Sequence, residues 1–137
     1  MALYPNPEQL QAFLEEDDGC PVVMVNLLRF HERAGAPDDG LSGEAAYRRY
    51  SDRMLEFIAT RGAKVLYSGH LRNQVIGEGG DGFHMIALVE YPSRQEFVEI
   101  ASHPYVREIG VHRTAGLEGQ WLLAAKTARE EASDPPR

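Results

Sequence analysis

The stretch VVMVNLLRF, residues 22–30, decides the fold because it is apolar on both faces of one predicted strand and carries a single amide, Asn26. Successive side chains of a strand point to opposite faces, so Val25 and Leu27 point one way, and Asn26 and Leu28 point the other. A strand that is apolar on both faces needs cover on both sides. Asn26 also needs a hydrogen-bond partner, because an unpaired buried polar group costs about 1–3 kcal/mol. Whether Asn26 faces helices or a second protein surface is left open.

Helices and strands that can pack around this strand alternate along the chain. Asn6 and Pro7 begin a first short helix, since asparagine caps well and proline suits the first helical position. Apolar spacing and turn residues predict the later elements: a helix over about 44–60, strands over 64–76 and 83–91, a helix that restarts at 92–96, a helical piece over about 105–113 and a strand over 120–125. After the first helix the order is β-α-β-β-α-β, which predicts an α+β, ferredoxin-like protomer with a four-stranded antiparallel sheet.

The predicted sheet carries its helices on one face only. In the last strand, Trp121 and Leu123 lie opposite Leu122 and Ala124, so this strand too is apolar on both faces. The uncovered face would be an exposed apolar patch of a kind that monomers rarely show. A second copy packed sheet to sheet would cover it, so we predict a homodimer through the sheet face.

Composition narrows the class of protein. The 137 residues fit one domain, predicted over residues 1–128, followed by a disordered tail over 129–137. The net charge of −7 argues against nucleic acid as a partner, because phosphate binding needs a basic patch. No signal peptide or membrane-spanning run is visible, and Cys20 is the only cysteine, so we predict a cytoplasmic protein without membrane contact.

Three motifs resemble a known family. They are the strand at 22–30, Tyr-Arg-Arg-Tyr at 47–50 and Val-Glu-Tyr-Pro-Ser-Arg at 89–94. Over about residues 20–125 the chain resembles the uncharacterised family called domain of unknown function "thirteen-thirty", of the dimeric α/β-barrel superfamily. The resemblance implies a ferredoxin-like protomer and a two-sheet barrel at the dimer interface. Members of the superfamily include cofactor-free monooxygenases, haem-degrading enzymes, muconolactone isomerases and binding modules, so the fold does not determine the function.

No cofactor or metal site is predicted. The glycine-rich loop at 77–82 lacks the lysine and hydroxyl residue of a phosphate-binding loop, and its acidic residues would repel phosphate. The five histidines show no metal-ligand spacing. His103 and His112 lie near the second crossover helix, where some superfamily members hold haem, but histidines at helix edges are mostly exposed or capping groups. Haem binding is therefore not expected.

The remaining candidates form a mixed apolar and polar wall. Tyr47 and Tyr50 project from the long helix and Asn26 from the first strand, while one face of the second strand is polar through Ser68, His70, Arg72 and Gln74. If Ile76 pairs with Phe83, this polar face lies opposite the apolar Met85, Ala87, Val89 and Tyr91. Such a wall is typical of a small-molecule pocket, and it could lie under the helices or inside the barrel. Arg113 adds a cation that could hold a carboxylate or an enolate.

Two functions fit this set of residues. In the first, a cofactor-independent enzyme, monooxygenase-like or isomerase-like, acts on a small aromatic or carbonyl compound, with His70 as general acid or base. Asn26, Tyr47 and Tyr50 would bind the substrate and stabilise an oxyanion, and Arg113 would anchor an acidic group. The sequence identifies no carboxylate that would orient His70. In the second, the dimer binds or senses a metabolite without turnover. A purely structural dimer, with both tyrosines as plain core residues, is the third possibility.

Overall fold

Four strands form one antiparallel sheet in the computed structural model, which describes residues 1–128. They are β1 (Val22–Phe30), β2 (Lys64–His70), β3 (Met85–Tyr91) and β4 (Leu117–Ala125), and their order across the sheet is β2-β3-β1-β4. Each neighbouring pair is antiparallel. The tail predicted over 129–137 lies outside the described residues.

Four helices accompany the sheet: α1 (Pro7–Glu15), α2 (Gly43–Ala59), α3 (Arg94–Ala101) and α4 (Pro104–Gly116). Their starts follow the capping residues, since the side chains of Asn6, Ser42 and Ser93 each accept a hydrogen bond from a backbone N–H of the first turn. The predicted α+β, ferredoxin-like order is confirmed, with α1 ahead of it and α3 and α4 sharing the second crossover. Within residues 1–128, no helix is both long and apolar enough to cross a membrane.

β1 lies in the middle of the sheet and buries one face under the helices. Met24 and Leu28 are 3% and 0% exposed, and they pack in the core with residues of α2, α3 and α4. Asn26 lies between them on the strand and therefore points toward the helices as well. Val25 and Leu27 point to the other face, where no described element covers them. The question left open by the sequence is thus answered in favour of the helix side.

The pairing predicted between β2 and β3 is wrong. β2 ends at His70, which pairs with Met85, so the predicted partners Ile76 and Phe83 both lie outside the strands. Just beyond the paired strands the backbone N–H of Leu71 still donates to the backbone oxygen of His84. His84 is also bonded to β1, because its backbone N–H donates to Leu28 and its ring accepts from the backbone N–H of Phe30. The register differs from the predicted one by an even number of residues. His70 and Met85 therefore still point to the face on which they were expected.

The loop between β1 and α2 is held by a buried carboxylate. Asp38 is 2% exposed, and its oxygens lie 2.8 Å from Arg49 on α2 and 2.7 Å from His112 on α4. Beside this cluster α2 and α4 cross at two glycines, Gly43 and Gly116, where added Cβ atoms would lie 2.1–2.7 Å from backbone oxygens. These contacts set how α2 sits over the sheet, and α2 forms the roof of the site.

Candidate functional site

A cavity of about 190 Å³ lies between α2 and the helix-facing side of the sheet. Its floor comes from β1, β2 and β3, and its roof from α2. The predicted residues Asn26, Tyr47, Tyr50 and His70 all line it. Most of the rest of its wall is apolar, from Leu28, Phe30, Met54, Leu55, Ile58, Val65, Met85, Ala87 and Val89. This cavity therefore lies under a helix, which is one of the two positions considered.

His70 is oriented by a carboxylate that the sequence does not reveal. Its Nε2 lies 2.6 Å from Oε2 of Glu44, in the first turn of α2, and both side chains line the cavity. A carboxylate only accepts hydrogen bonds, so Nε2 carries the hydrogen and Nδ1 is left with the basic lone pair. The two side chains are 46% and 36% exposed, which places the pair at the mouth of the cavity. Glu44 is 26 residues from His70, and no local pattern joins them.

Three tyrosines supply hydroxyl groups to the interior of the cavity. Tyr47 and Tyr50 stand on α2 with ring centroids 5.5 Å apart, and Tyr91 lies at the end of β3. Burial is the main cause that raises the pKa of each of the three. Among the described residues none of these hydroxyls has a hydrogen-bond partner. Each hydroxyl retains some contact with solvent, because no fully buried polar side-chain atom among the described residues lacks a partner. The three hydroxyls are therefore donors that a ligand in the cavity can use.

Alkaline titration should reveal these tyrosines. The folded protein holds their protons above the ordinary pKa near 10, so the unfolded chain releases them first. The free energy of unfolding should then be unaffected by them below pH 10 and fall as the pH rises further. Urea unfolding at stepped pH, with tyrosinate absorbance, measures both effects. Tyr47→Phe should make the decline shallower by up to about 1.4 kcal/mol per pH unit. Ionisation of all six tyrosines in one step near pH 10 would contradict this expectation.

The Asn26 amide has partners on both of its ends. Its Nδ2 donates to the backbone oxygens of Met24 and Ala87, at 3.2 and 3.3 Å. Its Oδ1 accepts from Nε2 of Gln120 at 2.7 Å. Gln120 lies on β4 beside Leu28 and is 94 residues from Asn26, so only the pairing of β1 with β4 brings the two together.

Arg113 is not among the residues that line the cavity. Its guanidinium donates to the backbone oxygen of Leu3 and to Oε1 of Gln120, the latter at 2.7 Å, and it lies over the Tyr4 ring. Its charge nevertheless acts on Tyr47 and Tyr50, whose pKa it lowers against the larger effect of burial. The predicted role as an anchor for an acidic ligand group stays a prediction. Arg72 and Gln74 also lie away from the cavity, because β2 ends at His70 and both residues fall in the exposed connection after it.

Three of the other four histidines have structural partners. His103 caps α4 by accepting from the backbone N–H of Tyr105, and His112 bonds to Asp38. His84 accepts from the backbone N–H of Phe30. Within residues 1–128 no three histidine, cysteine or acidic side chains are grouped so that they could hold a metal ion.

The solved structures that resemble this chain include one close and two distant relatives in fold. The RPA0582 protein of Rhodopseudomonas palustris, of unknown function, is 32% identical over 90% of this chain and 94% of its own, with a TM-score of 0.81. The hydroxynitrile lyase of Passiflora edulis is 16% identical over 78% and 93%, with a TM-score of 0.56. The Arabidopsis thaliana protein At3g17210 is 17% identical over 77% and 93%, with a TM-score of 0.52. The last two share the fold alone.

Sequence comparisons add no further relative. The chain matches no protein-family profile, and no curated protein matches it significantly. Membership of the "thirteen-thirty" family therefore stays a prediction.

Proposed function

The chain belongs to the family of the Rhodopseudomonas palustris RPA0582 protein, whose function is unknown, and from that premise we propose that it transfers a proton on a small carbonyl compound bound under α2. The observation that carries this proposal is the 2.6 Å contact between His70 and Glu44 at the mouth of a cavity with three free tyrosine hydroxyls. A histidine held by a carboxylate, in the same cavity as hydrogen-bond donors, is the arrangement that general base catalysis uses.

The proposed reaction begins at Nδ1 of His70. This atom takes a proton from the carbon next to the carbonyl group, and the electron pair of that C–H bond moves toward the carbonyl oxygen. Glu44 stabilises the imidazolium that forms. Tyr47 and Tyr50 donate hydrogen bonds to the developing enolate oxygen, and their raised pKa keeps them protonated as donors. Return of the proton to another carbon completes an isomerisation, and reaction of the enolate with dioxygen would begin an oxygenation. Neither route needs a bound cofactor for the proton step.

The cavity limits the size and polarity of the substrate. Its 190 Å³ is below the range of about 300–1,000 Å³ that is usual for drug-sized ligands. At roughly 20–30 Å³ per non-hydrogen atom, it holds a molecule of roughly six to ten such atoms. Its apolar wall favours a largely uncharged ligand, small aromatic ketones included.

Hydrogen–deuterium exchange on a panel of ketones tests the proposal while the natural substrate is unidentified. Small aliphatic and aromatic ketones are incubated with the protein in D2O, and proton NMR follows loss of the signal next to the carbonyl group. We expect exchange of at least one compound well above the rate with heat-denatured protein. Absence of exchange, together with stabilisation of the protein by the same compounds, would favour the non-catalytic binding or sensing module. That alternative draws support from Arg48, which lies 3.7 Å from the same Glu44 oxygen and competes with His70 for that carboxylate.

A second copy of the chain is the proposed partner of the open sheet face. Its central residues are apolar on all four strands, and Tyr67, Trp121 and Leu123 are 58%, 50% and 52% exposed. The ion pair between Lys64 and Glu90 lies in the end row of this face. A second copy related by a two-fold axis through this patch would cover the apolar sheet face of each chain.

Leu123→Glu should separate this dimer, because it places a charge in the centre of the apolar face. We expect wild-type protein to sediment at twice the mass of one chain, and the variant to have a dissociation constant raised about 30-fold or more. Val111→Glu is the matched control, since Val111 is a similarly exposed apolar residue on α4. A wild-type protein that sediments as a monomer at high concentration would refute the proposed partner.

A further inference from the structure

Hydrogen bonds join Arg113, Gln120 and Asn26 in a series that ends at two backbone oxygens. The groups at the two ends of this series allow its hydrogen bonds to run in one direction only. Arg113 can only donate, so the Gln120 amide must present its oxygen to Arg113 and its nitrogen to Asn26. Asn26 must then present its oxygen to Gln120 and its nitrogen to the backbone oxygens of Met24 and Ala87, which can only accept. Donor-only and acceptor-only groups at the two ends thus settle both amide orientations.

These hydrogen bonds leave the Asn26 amide with one unused acceptor position. Nδ2 already donates to two backbone oxygens, whereas Oδ1 accepts a single hydrogen bond and has room for a second. Asn26 lines the cavity floor, so the group it can offer to a ligand is an acceptor. The role predicted from the sequence, in which Asn26 donates to an oxyanion, would compete with the two hydrogen bonds that Nδ2 already makes.

We propose that the substrate carries a hydroxyl group that donates to Oδ1 of Asn26, and that Gln120 and Arg113 are positioning residues which select it. This inference rests on the proposed function, in which the carbonyl end of the substrate reacts. It assigns the substrate class as small hydroxylated carbonyl compounds. The tyrosine hydroxyls of α2 receive the carbonyl oxygen, because they are donors without partners. The free acceptor of Asn26 receives the hydroxyl.

The sheet sets how far apart the two ends of the ligand lie. Asn26 on β1 is in register with Ala87 on β3 and, through it, with Ser68 on β2, two residues from His70. The backbones of β1 and β2 are therefore about 10 Å apart. Side chains that reach inward from both strands leave space for a molecule with its hydroxyl and its reacting carbon at opposite ends. A benzene ring with para substituents has this shape.

Matched ketone pairs test the inference. In para-hydroxyacetophenone and para-methylacetophenone, as in hydroxyacetone and butanone, a hydroxyl replaces a methyl of similar size. We expect the hydroxyl member of at least one pair to exchange with kcat/KM higher about three- to tenfold, because one neutral hydrogen bond is gained. NMR of the Asn26 side-chain amide should shift on addition of that member and less on addition of its methyl partner. Equal kcat/KM and equal shifts within each pair would overturn the inference.

Gln120→Glu tests the positioning role. A carboxylate offers only acceptors, so it should turn the Asn26 amide around and remove the free acceptor from the cavity. We expect the preference for the hydroxyl member to fall to about one. Arg113→Lys, which still only donates, should retain the preference, and Gln74→Glu in the exposed connection is the matched control. An unchanged preference in Gln120→Glu would refute the role of Gln120.

The two proposals fail in different ways. If wild-type protein exchanges no ketone, the proton-transfer function is lost, and the Asn26 amide shifts still decide whether a hydroxyl is selected in binding. If exchange occurs without a preference between pair members, the function stands and the inferred substrate class is wrong.

Discussion

His70→Ala is expected to lower the rate of deuterium exchange into the best ketone about 10²- to 10⁴-fold, the usual contribution of a positioned general base. The loss should appear in kcat more than in KM, because the imidazole acts on the proton in transfer and contributes little to holding the substrate. The protein should remain folded, since the side chain is 46% exposed and lies at the mouth of the cavity. Proton NMR in D2O, with saturating ketone, measures the effect.

Added imidazole provides the decisive control for this variant. It should restore part of the exchange by His70→Ala, since the cavity keeps its hydroxyl donors and only the base is missing. His31→Ala is the matched control, because His31 is exposed and its side chain lies outside the cavity. Glu44→Gln should reduce exchange by about 10-fold or more, because an amide no longer stabilises the imidazolium. Exchange by His70→Ala at the wild-type rate would remove His70 from the mechanism.

Gly116→Ala is expected to destabilise the protein by about 3 kcal/mol or more, which exceeds the usual cost of overpacking by one methyl group. An added Cβ would lie 2.3 Å from the backbone oxygen of Gly43 and 2.8 Å from the backbone nitrogen of Tyr47. Neither neighbour is a flexible side chain, so α2 and α4 would have to separate. Urea unfolding followed by circular dichroism measures the loss, and binding of ketones should weaken in parallel because Tyr47 moves with α2.

Gly110→Ala is the matched control on the same helix. An added Cβ there meets no atom within 4 Å, so the variant should gain about 0.5–1 kcal/mol from the higher helix propensity of alanine. The two substitutions are identical in chemistry and differ only in what lies beside the new methyl group. A Gly116→Ala protein as stable as wild type would show that the two helices can move apart freely.

Local patterns predicted most of the fold. β1 lies over the predicted residues, and the predicted helix over 44–60 is observed at Gly43–Ala59, because apolar spacing and capping residues act within a few residues of each other. The length of β2 and its register with β3 were predicted wrongly. His84 is tied to Leu28 and Phe30 of β1, more than 50 residues away in sequence, and no pattern within the hairpin indicates these hydrogen bonds.

Four of the five predicted site residues line one cavity, since β1, α2 and β2 must meet in this topology. The partners that give those residues their chemistry were not predicted. Glu44 determines which nitrogen of His70 is basic, and Gln120 determines which end of the Asn26 amide is free. Both depend on contacts between side chains from different elements, at distances that sequence spacing does not encode.

The sequence by itself determined the order of elements, the two apolar faces of the central strand and the helix that carries the tyrosines. These follow from the periodicity of side chains along a single strand or helix, which the chain carries locally. The tertiary structure alone decided that Asn26 faces the helices, that Glu44 reaches His70 and that Arg113 binds Gln120. Hydrogen bonds are directional and end within about 3 Å, so the role of a polar group is set only when distant elements are brought together.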